Sequence, residues 1–305
     1  MKVTIIGATG LLGSELVPYF SARGHDVIPL SYADCDITNS EDIRRILQKH
    51  QPELIVNCAV MLDVDECEAN PTLCYGVNRD GVKNILTALN DLVTHDVMTN
   101  DSVTFVQISS SETFGRVHER EYDPMGYKED DMQKPVSVYQ KSKKEAEDIV
   151  LAFAREHPGV LKNWYIARAG WLYGAGRPTF VDRFYTLLQS KEPLKVIKDQ
   201  WRSPTWARDF AQGLDTLLTG GYASGIFHIV NDVKPGEATT QDVIEELETY
   251  LGPRAAHPPM TYVSQQEFFK VPRAPSNVLK NTKLPKLRPW REALQEYLRE
   301  RYTTE

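Results

Sequence analysis

The sequence predicts an α/β fold, in which a doubly wound parallel sheet is joined by a smaller C-terminal lobe. Short apolar segments rich in β-branched residues alternate with segments of helical periodicity through the first half of the chain. The first apolar segment runs directly into a glycine-rich turn. From Trp171 onward the alternation becomes irregular and prolines are frequent, which indicates a change of architecture. Strands that alternate with helices at this spacing form parallel sheets.

The composition indicates a folded protein that acts on a small molecule or on another protein. Of the 305 residues, 41% are hydrophobic, which is enough for a substantial core in one large domain or two fused ones. The 42 acidic and 35 basic residues give a formal charge of -7, so there is no basic footprint for a nucleic-acid backbone. No apolar run reaches the length of a membrane span, and the first residues show no signal-peptide pattern. We therefore expect a cytoplasmic protein without a membrane partner.

The individual elements are predicted from periodicity and from turn residues. A buried strand at 2–6 leads into a helix with Leu12, Leu16 and Phe20 on one face, which Pro18 should kink or shorten. Ligands bind beyond the C-terminal ends of the strands in such sheets. The later elements, in chain order, are a strand at 27–30, a helix with Ser40 as N-cap, a strand at 54–57, a helix at 77–92, a polar surface segment at 94–102, a strand at 103–108, a helix from 139 to about 156, a strand at 163–168 and a late strand at 227–230 that returns to the sheet.

The glycine-rich turn predicts a dinucleotide site. Gly7, Gly10 and Gly13 lie between the first strand and its helix, where backbone amides can approach a pyrophosphate and the helix N-terminus adds positive charge. A tight strand-to-helix turn without a ligand is the alternative. The second strand ends in Ser31-Tyr32, without a carboxylate at its tip for the 2′-hydroxyl of an adenosine ribose. NADPH is therefore slightly favoured over NADH, although no arginine follows directly.

Tyr139 and Lys143 form a second candidate constellation. They are four residues apart and share one face of a predicted helix, where the ammonium would favour the ionised phenol and bring its pKa toward neutrality. Such a phenol can act as a catalytic acid or base. The alternative is a pair of residues on a solvated helix face, a spacing that chance also supplies. The serines at 109–111 follow a predicted strand and would provide a neighbouring hydroxyl.

The four cysteines predict no metal site. Cys35, Cys58, Cys67 and Cys74 include no CxxC pair, and no histidines stand at metal-ligand spacing. Reduced thiols are expected, and a bridge between Cys67 and Cys74 in an oxidising compartment is the alternative.

The glycine triplet, Ser110 and the Tyr139-x-x-x-Lys143 spacing together resemble the extended short-chain dehydrogenase/reductases, over essentially the whole chain. The resemblance implies a Rossmann-like fold, NADPH or NADH as cofactor, and Ser110, Tyr139 and Lys143 as the catalytic residues. The aspartate of 36–38 would meet the adenine, and 57–59 would form the turn under a cofactor ribose. The implied cofactor-binding residues are Gly7, Thr9, Gly10, Leu11, Leu12, Gly13, Asp36, Ile37, Cys58, Ala59, Val60, Tyr139 and Lys143.

Within that family, the second half of the chain is similar to the dTDP-4-dehydrorhamnose reductases, through the stretches 168–176, 180–181, 199–205 and 271–279. This similarity implies reduction of the C4 ketone of a nucleoside-diphosphate 4-keto-6-deoxy sugar, in deoxysugar or cell-surface polysaccharide biosynthesis. The implied substrate-binding residues are Ser111, Glu112, Trp171, Gln200 and Arg202.

Arg202 departs from the pattern of those reductases, which usually have glycine there. A guanidinium at this position would grip the substrate diphosphate through two hydrogen bonds. The alternative is a surface arginine packed on Trp201 or Trp206.

The resemblance also sets the expected domain division and the alternative functions. Residues 1–170, with 205–232 returning to them, would form an NAD(P)-binding domain, and 171–204 with 233–305 a substrate-binding lobe. A homodimer is left open. The alternatives are a non-catalytic cofactor-binding regulatory subunit, like that of methionine adenosyltransferase, and a nucleotide-sugar epimerase. Ser111 argues against a 4,6-dehydratase, which has aspartate there, and against the epimerising reductases, which have cysteine.

Overall fold

The computed structural model describes residues 1–99, 103–115, 126–271 and 273–302, so the last part of the predicted surface segment at 94–102 lies outside the described residues. The strands are β1 (Lys2–Ile6), β2 (Asp26–Leu30), β3 (Leu54–Asn57), β4 (Val103–Ser110), β5 (Leu161–Ala169), β6 (Trp171–Tyr173), β7 (Leu194–Ile197), β8 (Pro204–Trp206), β9 (Gly225–Ile229) and β10 (Met260–Val263). The helices are α1 (Gly13–Ala22), α2 (Ser40–His50), α3 (Val64–Ala69), α4 (Pro71–Tyr75), α5 (Gly81–Thr94), α6 (Val138–Glu156), α7 (Phe180–Leu188), α8 (Ala207–Thr219), α9 (Thr240–Leu251), α10 (Gln265–Phe268) and α11 (Trp290–Tyr302). A π-helical turn at Gly76–Asp80 and 3₁₀ turns at Ser111–Phe114 and Gly252–Arg254 complete the regular structure.

Six strands form one parallel sheet in the order β2-β1-β3-β4-β5-β9. The chain moves outward from β1 to β2 and then crosses to β3 on the other side of β1. Ile6 pairs with Leu30 and Asn57, and Asn57 pairs with Gln107. The C-terminal ends of β1, β3 and β4 therefore meet at one edge, where the strand order reverses and ligands bind in such sheets. This confirms the predicted doubly wound α/β fold.

Hydrophobic side chains cover both faces of the main sheet. Helices α2, α5 and α6 pack on one face, and α1 and α8 pack on the other. Burial on both sides explains why the strands read as continuous apolar runs in the sequence. Representative buried residues are Ile43, Ile85 and Val150 on the first face and Leu16, Phe20, Phe210 and Leu214 on the second.

Two small parallel sheets lie outside the main one. Strand β6 pairs with β8, and β7 pairs with β10. A third core joins these strands to α7, α9 and α11, and its members include Val181, Val196, Trp206, Leu247 and Leu294. Strand β9 pairs with β5, as predicted for the late strand that returns to the sheet. The division into a cofactor-binding domain and a substrate-binding lobe stays a prediction.

One local prediction needs correction, and another is tested only in part. Ser40 is not the N-cap of α2 but its first residue, and the cap is Asn39. Asn39 has the extended backbone that a cap requires, and its side chain accepts hydrogen bonds from two amides of the first turn. Helix α1 runs past Pro18 to Ala22, so Pro18 does not end the helix, and a kink there stays a prediction. Pro18 lies on the exposed side of the helix, where water can hydrogen-bond the carbonyl that has lost its N–H partner.

A buried ion pair anchors α6 on the sheet. Arg168 of β5 donates hydrogen bonds of 2.9 and 2.7 Å to Glu147 of α6, and the two side chains are only 2% and 1% exposed. The same carboxylate accepts hydrogen bonds from Ser109 at 2.6 Å and from Gln133 at 2.9 Å. Burial opposes the charge, but these donors hold the pKa of Glu147 below its ordinary value. The pair therefore fixes α6 against β4 and β5.

Replacing Arg168 with methionine tests this anchor. We expect Arg168→Met to lower the free energy of unfolding by about 3–5 kcal/mol, because it leaves the Glu147 carboxylate buried without its partner. Urea denaturation at neutral pH measures the loss. The matched control is Arg155→Met, whose partner Glu156 is 60% exposed, and it should cost less than about 1 kcal/mol. Equal losses for the two variants would contradict the anchoring role.

Candidate active site

The glycine turn is so tight that no side chain fits at Gly7 or Gly13. The amides of Gly7 and Ala8 donate to the carbonyl of Leu30 at 2.9 and 3.0 Å. Gly7 has a positive φ of 78°, and a Cβ on it would lie 2.8 Å from the Ala59 nitrogen. A Cβ on Gly13 would lie 2.3 Å from the Gly7 oxygen. The turn thus brings the start of α1 against the end of β3, and no side chain caps the N-terminus of α1. This arrangement leaves room for a phosphate at a helix N-terminus.

The other predicted cofactor residues surround this turn. Thr9 is exposed and Leu11 is half-buried in the turn, while Leu12 is buried against α1. Cys58, Ala59 and Val60 follow β3, and the side chain of Val60 is exposed. The amide of Cys58 donates to the Ile6 carbonyl at 2.9 Å, which holds this segment beside the glycine turn.

Asp36 and Ile37 lie beyond the tip of β2. Burial opposes the Asp36 charge, but hydrogen bonds from Thr38 and Tyr32 lower the pKa of the carboxyl below its ordinary value. Ile37 is buried against Gly81 of α5, and a Cβ on Gly81 would lie only 2.5 Å from the Cδ1 of Ile37. A fixed carboxylate beside a buried aliphatic side chain can bind the edge and the face of an adenine ring.

Asp34 is a residue that the sequence patterns did not reveal. Its carboxylate folds back onto the tip of β2 and accepts hydrogen bonds from the amide of Ser31 at 2.9 Å and from its hydroxyl at 2.5 Å. These bonds lower the pKa of Asp34, which is therefore charged at neutral pH. A carboxylate here can hold a ribose 2′-hydroxyl and repels a 2′-phosphate. The Ser31-x-x-Asp34 turn was the available signal.

Ser110, Tyr139 and Lys143 are brought together at the same sheet edge. Ser110 ends β4, where its hydroxyl lies beside the Tyr139 phenol of α6 and favours the phenolate. Lys143, one turn after Tyr139 on α6, donates to the carbonyl of Ile108 at 2.8 Å. Tyr139 and Lys143 are each only 3% exposed. They belong to a buried cluster and not to a solvated helix face.

The protonation of this cluster differs from the expectation. Burial raises the pKa of Tyr139, the Glu112 charge raises it further, and the Ser110 hydrogen bond only partly offsets them. Burial lowers the pKa of Lys143 to about 8, against the opposing influence of Glu147. The expectation that Lys143 brings the Tyr139 pKa toward neutrality is therefore wrong for the chain alone. The phenol stays protonated at neutral pH and is set up as a proton donor.

Three of the five predicted substrate residues lie side by side. Arg202 donates to the Glu112 carboxylate at 3.1 Å, with both side chains largely buried. Its guanidinium lies over the ring of Trp171 at 5.3 Å and not over Trp201 or Trp206. The Trp171 ring stacks on Phe180 with centroids 3.4 Å apart. Arg202 is therefore not a surface residue, and its part in binding a substrate stays a prediction.

The other two predicted substrate residues are buried. Ser111 is 3% exposed and Gln200 is 2% exposed. The Gln200 side-chain amide donates to the carbonyl of Ala274 at 3.2 Å. In the structure, Gln200 therefore supports the segment 273–279, which we term the strap.

Arg273, at the start of the strap, is a second residue that the residue-level prediction missed. Its side chain is 10% exposed, lies over Phe269 at 4.9 Å and pairs with Asp65 at 3.4 Å. Among the described residues, its Nη1 is buried without a hydrogen-bond partner. Burial lowers the pKa of Arg273, while the charges of Glu112 and Asp65 favour the cation. The signal in the sequence that could have indicated Arg273 was the similarity of 271–279 to the reductases named in the sequence analysis. Two guanidiniums thus flank Glu112.

Neither a membrane-spanning helix nor a cluster of metal ligands is present among the described residues. Along 1–99, 103–115, 126–271 and 273–302, no helix has the length and apolarity needed to cross a bilayer. Within the same ranges, no three His, Cys, Asp or Glu side chains gather closely enough to hold a metal ion.

Comparisons with known proteins identify the family of this chain. The family model described as the RmlD substrate binding domain matches residues 1–303. The spore coat polysaccharide biosynthesis protein SpsK of Bacillus subtilis (strain 168) is 30% identical over 307 residues, which cover 98% of each protein. A dTDP-4-dehydrorhamnose reductase of Streptomyces griseus is 32% identical over 231 residues, 74% of this chain and 69% of that protein.

Solved structures show the same likeness. The dTDP-4-dehydrorhamnose reductase (rfbD) of Bacillus anthracis str. Ames in complex with NADP has a TM-score of 0.82 at 25% identity, covering 98% of this chain and 99% of that one. The ortholog from Clostridium acetobutylicum ATCC 824 has a TM-score of 0.81 at 30% identity, covering 98% of both chains.

Substituting Gly13 tests the tightness of the turn. We expect Gly13→Ala to weaken dinucleotide binding by about tenfold or more, because the Cβ would overlap the Gly7 carbonyl and displace the amides that face the phosphate. Titration of intrinsic fluorescence with NADPH and NADH measures the affinity. Gly76→Ala is the control, since its Cβ would meet nothing within 4 Å. Unchanged affinity in Gly13→Ala would rule out this turn as the phosphate site.

Proposed function

Because the chain belongs to the RmlD substrate binding domain family, we propose that it reduces the C4 ketone of a nucleoside-diphosphate 4-keto-6-deoxy sugar with NADPH or NADH. The single observation that carries this proposal is the meeting of Ser110, Tyr139 and Lys143 at the sheet edge beside the glycine turn. The activity serves deoxysugar or cell-surface polysaccharide synthesis, in line with the named relatives.

The cofactor-binding residues fit a nicotinamide dinucleotide. The cradle at Gly7, Gly10 and Gly13 would hold the pyrophosphate, and Asp36 would hold the adenine edge. Cys58 and Ala59 would lie under a ribose, and Lys143 would bind the ribose nearest the reacting ring. When bound, the cofactor supplies the hydride that reduces the carbonyl carbon. Asp34 favours a ribose with a free 2′-hydroxyl, so NADH is a substrate on an equal footing with NADPH.

The protein's own part in the reaction is to orient the ketone and to supply a proton. The Ser110 hydroxyl would donate a hydrogen bond to the carbonyl oxygen. As negative charge develops on that oxygen, Tyr139 would transfer its proton to it, which requires the phenol to be protonated beforehand. The raised pKa of Tyr139 satisfies this requirement. The Lys143 ammonium would then stabilise the phenolate that remains.

The residues that would bind the substrate are proposed from their charge and from aromatic stacking. Arg202 and Arg273 are cations at the rim of a largely buried site, and a diphosphate needs such partners. The unpartnered Nη1 of Arg273 has a donor to offer. Trp171 would pack against a sugar ring. A homodimer and a cytoplasmic location also remain proposals, which light scattering and cell fractionation can test.

Turnover of defined substrates tests the function. We expect oxidation of NADPH or NADH when dTDP-4-dehydrorhamnose is supplied, with the deoxysugar nucleotide as product. The corresponding UDP and GDP sugars identify the nucleoside through the rise in melting temperature that a bound ligand produces. Binding of the cofactor without turnover of any 4-keto sugar nucleotide would favour the regulatory-subunit alternative.

Removing one hydroxyl tests the proton donor. We expect Tyr139→Phe to lower kcat by about 10²–10⁴-fold, because the developing alkoxide loses its proton source. The dissociation constant of the cofactor should stay within about twofold, since the pyrophosphate contacts lie elsewhere. The control is Tyr19→Phe, whose hydroxyl bonds the exposed side chain of Arg23. Normal turnover by Tyr139→Phe would exclude Tyr139 as the donor.

A further inference from the structure

Glu112 is a buried carboxylate beside Tyr139 that takes no part in the proposed proton transfer. It lies in the 3₁₀ turn directly after Ser110 and is 8% exposed. Its Oε1 accepts hydrogen bonds from Arg202 Nη1 at 3.1 Å and from Asn277 Nδ2 at 2.7 Å. Its Oε2 accepts one from Gln140 Nε2 at 2.9 Å. One carboxylate therefore joins the β7-β8 connection, the strap and the start of α6.

Gln140 carries this link to the proton donor. Its Oε1 accepts hydrogen bonds from the amides of Val136 and Ser137, at 2.9 and 3.2 Å. The backbone amide of Gln140 completes a capping box by donating to the Ser137 hydroxyl at 3.3 Å. The Gln140 side-chain oxygen thus binds the residues just before α6, and the side-chain nitrogen binds Glu112. Tyr139 is the preceding residue, so its position depends on the same contacts.

Asn277 carries the link to the substrate side. The amide of Trp201 donates to the Pro275 carbonyl at 3.0 Å, and the amide of Asn277 donates to the Trp201 carbonyl at 3.1 Å. Asn277 is 1% exposed, and its Oδ1 is buried without a partner among the described residues. The strap and Arg202 therefore reach the catalytic residues through Glu112.

The titratable groups around Tyr139 determine whether its pKa is raised or lowered. Glu112 faces the phenol from the 3₁₀ turn, and the thiols of Cys67 and Cys74 face it from α3 and α4. Lys143 lies one turn along α6, and Arg202 with Arg273 lies on the far side of Glu112. A negative charge beside a phenol opposes formation of the phenolate. Glu112 is the carboxylate that exerts this effect most strongly on Tyr139.

We propose that Glu112 is a positioning residue for the reduction, which holds Tyr139 through Gln140 and joins it to Arg202 and the strap. A negative charge held at this position also opposes ionisation of the phenol. This inference rests on the proposed reductase activity. It differs from a role as a base toward carbon, because the two carboxylate oxygens already accept three hydrogen bonds.

The pH dependence of turnover tests the proposal. The reduction requires a charged Lys143 and a protonated phenol, so kcat/KM falls in two steps as the pH rises, first through the Lys143 pKa of about 8 and then through the higher pKa of Tyr139. The upper step is the alkaline limb of Tyr139, and a difference titration of phenolate absorbance between each protein and its Tyr139→Phe counterpart locates it directly. Glu112→Gln removes the charge but keeps the size, so this alkaline limb should move to lower pH by about one unit or more. Glu112→Asp keeps the charge and should restore the limb toward its wild-type position. An alkaline limb that does not move in folded Glu112→Gln overturns the proposal.

Two controls separate the specific effect from general ones. Glu68→Gln neutralises another carboxylate at the start of α6, where Glu68 accepts a hydrogen bond from the Val138 amide at 2.9 Å. It should leave the limb in place, and an equal shift in this variant would overturn the specific role of Glu112. Because the neighbouring Cys67 thiol lowers the pKa of the Cys74 thiol, the comparison is repeated in a Cys74→Ala background. The shift should persist there, and its loss would assign it to the thiol.

A paired variant keeps the test usable if Glu112→Gln does not fold. Glu112→Gln combined with Arg202→Gln leaves no unpaired buried charge, and it is compared with Arg202→Gln alone by the pH profile of kcat at saturating substrate. The limb should again lie lower in the variant that lacks Glu112, and coincident limbs overturn the proposal.

Two further experimental results would have a different meaning. If the wild-type protein binds cofactor but turns over no 4-keto sugar, the proposed function fails. The titration of the Tyr139 phenolate absorbance needs no substrate, and an unchanged titration in Glu112→Gln would then overturn the role of Glu112 separately. If the ketone substrate exchanges its C3 or C5 hydrogen for solvent deuterium with the wild-type protein but not with Glu112→Gln, Glu112 is a base toward carbon and the positioning role is overturned.

Discussion

The seating of α6 against the parallel sheet is the interaction on which the site depends. Tyr139 and Lys143 belong to this helix, whereas Ser110 belongs to β4, so the three meet only if helix and strand keep one relative position. Glu147 provides that fixed point, since its carboxylate accepts hydrogen bonds from Arg168 of β5 and from Ser109, the neighbour of Ser110. Desolvating two charges is costly, and the pair is stable here because every oxygen of the carboxylate has donors. A helix held in this way cannot slide along the sheet.

The topology of the sheet supplies the rest of the site. Parallel strands in register place the glycine turn, Asn57 and Ser110 at one edge, and a chain of hydrogen bonds runs from Asn57 to Lys143. Asn57 donates to the Gln107 side chain at 2.9 Å, and the amide of that side chain donates to the Ile108 carbonyl at 2.9 Å. Lys143 donates to the same carbonyl. The segment proposed to lie under a cofactor ribose is therefore connected to the lysine through hydrogen bonds alone.

The sequence was informative wherever a pattern is local. The strands at 2–6 and 54–57, the glycine triplet and the four-residue spacing of Tyr139 and Lys143 can each be read from a short window, and the structure places them together. The parallel direction of the strands followed from the alternation of strands and helices. The N-cap of α2 was misplaced by one residue because serine and asparagine are nearly equal as caps, and only the backbone angles distinguish them.

The partners of the site residues could not be read in this way. The pKa of Tyr139 depends on burial by segments that are distant in sequence, so a helical spacing with Lys143 gave the wrong direction. Asp34 reaches the tip of β2 only because the chain turns back on Ser31, and Arg273 reaches the site only because the strap crosses it. These contacts are properties of the folded chain, since no short window contains both partners or predicts the course of the intervening segment.

The contact between Glu112 and Asn277 joins positions 165 residues apart. Contacts of such sequence separation are slow to form, because the entropy of closing a long loop must be overcome first. During synthesis the glycine turn and the first four strands leave the ribosome well before the strap does. The nucleotide cradle is therefore encoded early in the chain, whereas the carboxylate beside the proton donor acquires its last hydrogen-bond donor only when the chain is almost finished. Completion of the catalytic centre thus reports that the C-terminal part of the protein has folded.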